Sequence, residues 1–357
     1  MNIDSLFSVS PYSLGRQHKS KLLDGYLYSL TRHHYERSKH YRRMIDALDF
    51  DINNEVPYTN LPFLPVRLFK LHELLSIKKE DVFKTMTSSG TSGQQVSKIF
   101  LDKENSLRQT KALAKIVSEF TGAERSPMII IDSESVLKDR SMFSARGAGI
   151  LGFSIFGTER IYALDKNMEL NIKLLEVFIE KNKGSRIFIF GFTFMVYKHL
   201  IRELKSRCIN LDLSNAVLIH GGGWKKMESQ SVSPSDFKQE LNNLTGLDAV
   251  HDYYGMVEQT GSIYMECEMG YLHASIFSDI IIRRPGDFSI AKVGEKGIIQ
   301  TVSILPKSYP GHSLLTEDEG VIMGEDDCQC GRLGKYFRVT GRIRNAEIRG
   351  CSDTYEN

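Results

Sequence analysis

Arg186-Ile187-Phe188-Ile189-Phe190, followed one helix later by Asn215-Ala216-Val217-Leu218-Ile219-His220-Gly221-Gly222-Gly223, decides the fold class. Both apolar runs are short and continuous rather than alternating, which is the pattern of strands buried on two faces. Between them Phe194 to Lys205 has helical character, so the stretch predicts a strand, a helix and a second strand. Working outward, Pro127-Met128-Ile129-Ile130-Ile131 predicts another buried strand, and Lys103 to Phe120 and Asn171 to Glu180 predict helices. This alternation implies an α/β fold built from parallel βαβ units with helices on both faces. Ligands in such folds bind beyond the carboxyl ends of the strands, so the loops there carry the search for function.

Toward the N-terminus, Leu22, Leu23, Tyr26, Leu27 and Leu30 recur at helical spacing and predict one long amphipathic helix over residues 12–48. Pro57, Pro62 and Pro65 then enforce an extended connector. Beyond about residue 262 the helical period fades, and runs such as Ile276 to Arg283 and Gly297 to Val302 predict a small β-rich subdomain. The expected divisions are a helical segment with its connector at 1–75, an α/β nucleotide- and acyl-binding region at 76–250, a β-rich subdomain at 251–340 and a tail at 341–357.

Lys and Arg total 46 against 44 Asp and Glu, and the resulting net charge of +2 argues against nucleic acid or an anionic membrane as partner. The longest apolar runs fall short of a membrane span, and Met1-Asn2-Ile3-Asp4 does not open a signal peptide. A cytoplasmic protein without stable membrane insertion is expected. Five irregularly spaced cysteines do not make a disulfide framework, which leaves metal ligands, reactive thiols or core residues.

Thr87-Ser88-Ser89-Gly90-Thr91-Ser92-Gly93 concentrates hydroxyls and glycines between two apolar runs. Side-chain hydroxyls and loop N–H groups suit phosphate oxygens, and glycines allow close approach. The run is not a Walker A loop, because Gln94 stands where the Lys would follow the glycine. Taken alone, the run reads better as a Ser/Gly surface loop. Gly221-Gly222-Gly223 directly after a strand marks either a flexible turn or a backbone that must approach something flat or charged. Cys267, His273, Cys328 and Cys330 supply three thiols and one imidazole, the ligand set of a closed structural zinc site; unligated cysteines are the alternative. The aromatic run Phe188 to Tyr197 reads either as core or as an apolar slot for an acid, and Gly191 at its strand end would admit a ligand.

As an ordered set these pieces resemble the adenylate-forming superfamily, most closely the LuxE-type acyl-protein synthetases, with a second likeness to phenylacetate-CoA ligases. The resemblance runs over nearly the whole chain. It implies that Ser88 to Gly93 hold phosphate, that adenine lies on Gly221, Gly222 and Gly223, and that Asp252 meets the adenine amino group. Tyr254-Gly255-x-x-Glu258 is similar to a motif whose Tyr stacks on adenine and whose Glu holds Mg²⁺, with Val257 where the superfamily has Thr. Asp318 corresponds to a residue that takes the ribose hydroxyls, and Arg342 to the hinge arginine that reaches ribose or phosphate. Lys98 stands for the basic residue after the phosphate loop, at a longer spacing than the superfamily pattern.

The implied fold is the adenylate-forming large domain with the C-terminal domain absent, since only 17 residues run from Gly341 to Asn357. That tail holds Cys351, which corresponds to the cysteine that accepts the acyl group in LuxE-type enzymes. The implied activity is ATP-dependent activation of a carboxylic acid, fatty by resemblance, with transfer to Cys351 and delivery to a partner reductase or acyltransferase. ATP, Mg²⁺ and structural Zn²⁺ are the expected cofactors. A truncated phenylacetate-type CoA ligase and a non-catalytic nucleotide-binding module are the rival expectations.

Overall fold

The computed structural model describes residues 3–88, 95–138, 145–224 and 230–343. They divide into two compact units, one of residues 3–88, 95–116 and 255–343, the other of 117–138, 145–224 and 230–254.

The second unit is the α/β body expected from the apolar runs. Its strands lie in the order Ala249–Tyr254, Ala216–Gly221, Ile187–Phe192, Ser126–Ser133 and Gly157–Leu164, and all pairings are parallel. Ile187–Phe192 and Ala216–Gly221 are buried along their whole length, which is why their apolar residues do not alternate. Helix Ile172–Lys181 starts where the Asn171 side chain accepts the Leu174 N–H at 3.0 Å. Helix Pro234–Thr245 starts at the Ser233 cap with Pro at its first position, and stops at Gly246, whose φ of +68° is left-handed. The strand Gly157–Leu164 and the helix Pro234–Thr245 were not among the sequence expectations.

The first unit is built on antiparallel strands in the order Ser278–Arg283, Lys296–Ser303, Ser313–Glu325, Lys335–Arg342, Leu272–His273 and Tyr264–Glu266. This is the β-rich region expected beyond residue 262. Leu64–Pro65 adds in parallel to Ser313–Glu325, and Lys84–Thr87 forms a hairpin with Lys98–Leu101. A core of Tyr41, Ile45, Phe69, Ile99, Tyr309 and Leu314 joins the N-terminal helices to these strands.

The single helix expected over 12–48 is corrected to two, Arg16–Arg37 and Lys39–Ala47. Ser38 breaks it: its backbone is extended, at φ −110° and ψ 109°, and its hydroxyl accepts the Tyr41 N–H as the cap of the second helix. The first helix is anchored by a buried ionic cluster in which Lys19 and Lys335 lie 3.5 and 2.7 Å from the carboxylate of Asp279. Tyr58 donates its hydroxyl to the same carboxylate. No helix among the described residues is long and apolar enough to cross a membrane.

Candidate functional site

The hydroxyl-glycine loop springs from the hairpin Lys84–Thr87 and Lys98–Leu101. Ser88 N–H donates to the Ser97 carbonyl at 3.0 Å, and Ser97 N–H donates to Ser88 Oγ at 2.9 Å, so Ser88 closes the hairpin. Lys98 faces Thr87 in register just beyond this closure. Ser89, Gly90, Thr91, Ser92 and Gly93 lie outside the described residues, as does Cys351.

In the α/β unit the glycines after Ala216–Gly221 differ in what they face. A Cβ on Gly221 would stand 2.4 Å from the ring of Tyr253, so the close approach there is to that tyrosine. Gly222 has φ +77°, which strains any other residue, while a Cβ on Gly223 would meet open space. Tyr254, half-buried, ends the strand Ala249–Tyr254, and Asp252 lies two residues before it. Asp252 Oδ1 accepts the Tyr253 N–H at 2.8 Å and stands 3.6 Å from His220 Nδ1. The same ring nitrogen shares a 2.9 Å hydrogen bond with Thr193 Oγ1. Burial, together with nearby Lys238 and His251, drives the His220 pKa down to about 3, so the ring is neutral.

The expectation for Gly191 is revised. A Cβ there would lie 2.8 Å from Val196 and 2.9 Å from Ile131, so the glycine allows helix and strands to pack closely and leaves no opening for a ligand. Phe188, Phe190 and Phe192 are at most 3 % exposed, and Phe153 stacks on Phe190 with ring centroids 4.3 Å apart. These aromatics therefore serve first as core. The helix that follows opens at Thr193 and widens into a π segment over Val196–Ile201, a local irregularity often found beside functional groups.

In the β-rich unit, Glu258 lies in the short helical turn Val257–Gln259 and is 3 % exposed. Its backbone is pinned from two sides. Tyr309 donates its hydroxyl to the Glu258 carbonyl at 3.0 Å, and the neighbouring Gln259 Nε2 donates to the carbonyls of Gly311 at 2.9 Å and Thr301 at 3.2 Å. A Cβ on Gly311 would stand 2.8 Å from the Glu258 carbonyl oxygen, so the turn fits only against glycine. Exposed Gly255 precedes this turn in the chain. Asp318 and Arg342, read separately from the sequence, are register partners across Ser313–Glu325 and Lys335–Arg342. Arg342 Nε approaches Asp318 Oδ1 to 3.2 Å and its Nη2 approaches Glu317 Oε2 to 3.4 Å, while Arg67 holds the other Glu317 oxygen at 2.9 Å. The two arginines thus hold one carboxylate between them, and Arg342 is oriented along the edge of Asp318.

Cys267, His273, Cys328 and Cys330 converge with all their ligand atoms within 4.8 Å of one another. Cys267 Sγ and Cys328 Sγ are 3.9 Å apart, and Cys330 Sγ is 3.4 Å from His273 Nε2. A tetrahedral centre with Zn–S near 2.3 Å has sulfur edges of about 3.8 Å, so these separations fit zinc. Two similar turns create the cluster: Gly270 N–H donates to the Cys267 carbonyl at 2.9 Å and Gly331 N–H to that of Cys328 at 3.0 Å. Both glycines have positive φ, +75° and +79°. Burial and the neighbouring thiols push Cys328 up to about 12, so a cluster without a cation keeps that thiol protonated. Tyr336 stacks on the His273 ring at 5.6 Å and fixes its plane.

Arg67, Thr193, His220, Glu317 and Tyr309 were missed at the level of sequence. Only His220 carried any signal, as the residue between a buried strand and the glycines. The others acquire partners through pairings that no local pattern announces.

The sequence profile described as "Acyl-protein synthetase, LuxE" matches residues 1–357. The chain is similar to the long-chain-fatty-acid–luciferin-component ligase of Aliivibrio fischeri, 24% identical over 99% of this chain and 93% of that protein. It is also similar to the protein of that name from Vibrio harveyi, 22% identical over 98% of this chain and 91% of the other. Among solved structures, 2-hydroxyisobutyryl-CoA ligase in an open conformation with 2-HIB-AMP and CoA superposes with a TM-score of 0.71. The two are 15% identical over 94% of this chain and 77% of that one. At that identity the likeness shows the fold, and the expected adenylate-forming architecture is borne out.

Proposed function

This chain belongs to the LuxE family of acyl-protein synthetases, and from that premise we propose that it activates a long-chain carboxylic acid with ATP and passes the acyl group to its own Cys351. The acid's carboxylate oxygen attacks the α-phosphorus of ATP, the bond to the bridging oxygen breaks, and pyrophosphate leaves. The Cys351 thiolate then attacks the acyl carbonyl and expels AMP, leaving a thioester for a partner reductase or acyltransferase.

The observation that carries this reading is the Asp318–Arg342 pair. The family motif assigns one residue to ribose and the other to ribose or phosphate, and the fold holds them 3.2 Å apart. Glu258 supports it: a buried carboxylate on a pinned turn matches Mg²⁺, which commonly takes one or two carboxylates plus substrate phosphates. Bound there, the metal would neutralise charge on the phosphates. Thr91, Ser92 and the loop glycines would donate to phosphate oxygens, and Gly221 to Gly223 would offer a flat backbone to adenine beside Tyr254 and Asp252. Tyr253 already covers Gly221, so the open end of that strip is at Gly223. The thiol cluster serves as a zinc staple for the β-rich unit.

Incubation with ATP, Mg²⁺ and a panel of fatty acids, followed by intact-protein mass, tests the reading. A hydroxylamine-sensitive acyl adduct on wild type, absent from Cys351→Ser, is the expected result. Acyl-CoA formed at full rate without Cys351 would move the assignment to a CoA ligase.

A further inference from the structure

Thr193, His220 and Asp252 come from the carboxyl ends of three neighbouring parallel strands. Thr193 directly follows Ile187–Phe192, His220 lies in Ala216–Gly221, and Asp252 in Ala249–Tyr254. The register sets His220 opposite Gly191 on one side and Asp252 on the other, which places the imidazole between the other two side chains. Its Nδ1 is 2.9 Å from Thr193 Oγ1 and 3.6 Å from Asp252 Oδ1. The His220 side chain is 7% exposed against 45% for Asp252, so the buried ring reaches a carboxylate that faces solvent. Its Nε2 has no hydrogen-bond partner among the described residues, and Phe237 packs on the ring at 4.8 Å.

A hydroxyl, an imidazole and a carboxylate suggest a nucleophilic relay, but a relay needs its partners on opposite ring nitrogens, one to lose a proton and one to orient the ring. Here both partners face Nδ1. The arrangement is therefore a clamp. The neutral ring holds Thr193 by one directed bond and stands beside the Asp252 carboxylate, whose Oδ1 already accepts the Tyr253 N–H. An apolar residue at this position would spare the protein an unpartnered buried nitrogen, which otherwise counts against stability. Its presence is explained by what Nδ1 holds.

We propose that His220 is a positioning residue whose Nδ1 fixes Thr193 and stands beside the Asp252 carboxylate, presetting the strand ends that meet the acid and the adenine of the adenylation reaction. This rests on the activity proposed above. Asp252 carries the adenine contact in that reading, and Thr193 lies in the run Phe188 to Tyr197 that the sequence offers as core or as a slot for the acid.

Asn places a polar atom near the Nδ1 position and Gln near the Nε2 position, which makes the test specific. Acid-dependent exchange of pyrophosphate into ATP is measured on full-length wild type, His220→Asn, His220→Gln and His220→Leu, with KM for ATP and for a fatty acid, kcat and Tm for each. His220→Asn is expected to stay within about threefold of wild type, whereas Gln and Leu raise both KM values about tenfold, the scale of one lost hydrogen bond. Thr193→Val should shift the same constants and add little to His220→Gln, because both remove one contact. Gln performing as well as wild type while Asn fails would place the role on Nε2 and overturn the proposal. So would unchanged KM values in every variant. Wild type that exchanges with no acid overturns the activity itself, a separate outcome. If Leu does not fold, the comparison of Asn with Gln still decides.

Discussion

Tyr309, fully buried, donates its hydroxyl to the main-chain carbonyl oxygen of Glu258 across 3.0 Å. The same hydroxyl accepts from Gln109 Nε2 at 3.3 Å, so a residue far along the chain from Glu258 sets the height of the turn that presents its carboxylate. Glu258→Gln is expected to lower acid-dependent pyrophosphate exchange by about 100-fold or more, because the Mg²⁺ proposed at this carboxylate would lose a charged oxygen ligand. Tyr309→Phe keeps the ring and should cost about tenfold, the scale seen when a support of a metal ligand is removed. The apparent affinity for Mn²⁺ with ATP, read by the paramagnetic relaxation of water, should weaken in both. Exchange unchanged in Glu258→Gln would remove the carboxylate from the chemistry.

The thiol cluster should carry zinc. Metal analysis of freshly purified protein is expected to find about one zinc per chain, lost in Cys330→Ser, because four ligand atoms already stand within 4.8 Å of one another. Chelation should lower Tm by several degrees, since the metal's binding free energy is folding free energy for the strands it joins. Zinc well below one per chain would leave three reduced cysteines and a histidine that merely pack.

Asp279 is the charge on which the N-terminal helix depends. Burial alone would raise its pKa, but Lys335 and Lys19 hold it down to about 2, so the carboxylate is ionised across the working range. This contribution is complete above the unfolded value near 4 and is lost as pH falls toward 2. Asp279→Asn leaves both lysines buried without their anion and should cost about 3–5 kcal/mol in urea unfolding. Adding Lys19→Met should recover part of that loss, because one uncompensated charge is then removed. A cost below about 1 kcal/mol would show that solvent reaches the cluster.

Acid should destabilise the fold through its buried histidines before the carboxylates titrate. His34 and His312 stack with ring centroids 4.9 Å apart. Their surroundings are Thr31, Tyr41, Ser76, the Pro306 carbonyl and the partly exposed His33, with no carboxylate bonded to either ring among the described contacts. Burial, with His33 adding a like charge, depresses His312 to about 3, and burial with His312 and His33 lowers His34 well below its ordinary value. The unfolded chain therefore binds protons that the folded one refuses. Stability is full above about pH 6.5 and falls by about 1.4 kcal/mol per pH unit for each such histidine as pH drops toward the folded values. His312→Gln should flatten the dependence of Tm on pH between 6.5 and 5, and an unaltered slope would exclude His312 as a source.

The candidate residues are legible in the sequence where their signals are local. Glu258, Asp318 and Arg342 sit in short motifs, and Gly270 and Gly331 announce by type the positive φ of the turns that bring Cys267 and His273, and Cys328 and Cys330, together. Other readings failed where a local pattern served two purposes. The apolar spacing over residues 12–48 continues smoothly through Ser38, yet the hydroxyl ends one helix and caps the next. Gly191 could equally admit a ligand or a neighbouring side chain, and Val196 and Ile131 take the space.

The sequence by itself determined the α/β class, the order of the motifs, the three thiols and one imidazole that converge, and the family, because propensity, turn chemistry and motif spacing act over a few residues. Only the tertiary structure decided that Arg67 and Arg342 share Glu317, that Tyr309 supports Glu258, and that Thr193, His220 and Asp252 meet at one ring nitrogen. These contacts depend on strand order and register. Both are set by which faces find burial together across long stretches of intervening chain, and no short segment carries that information.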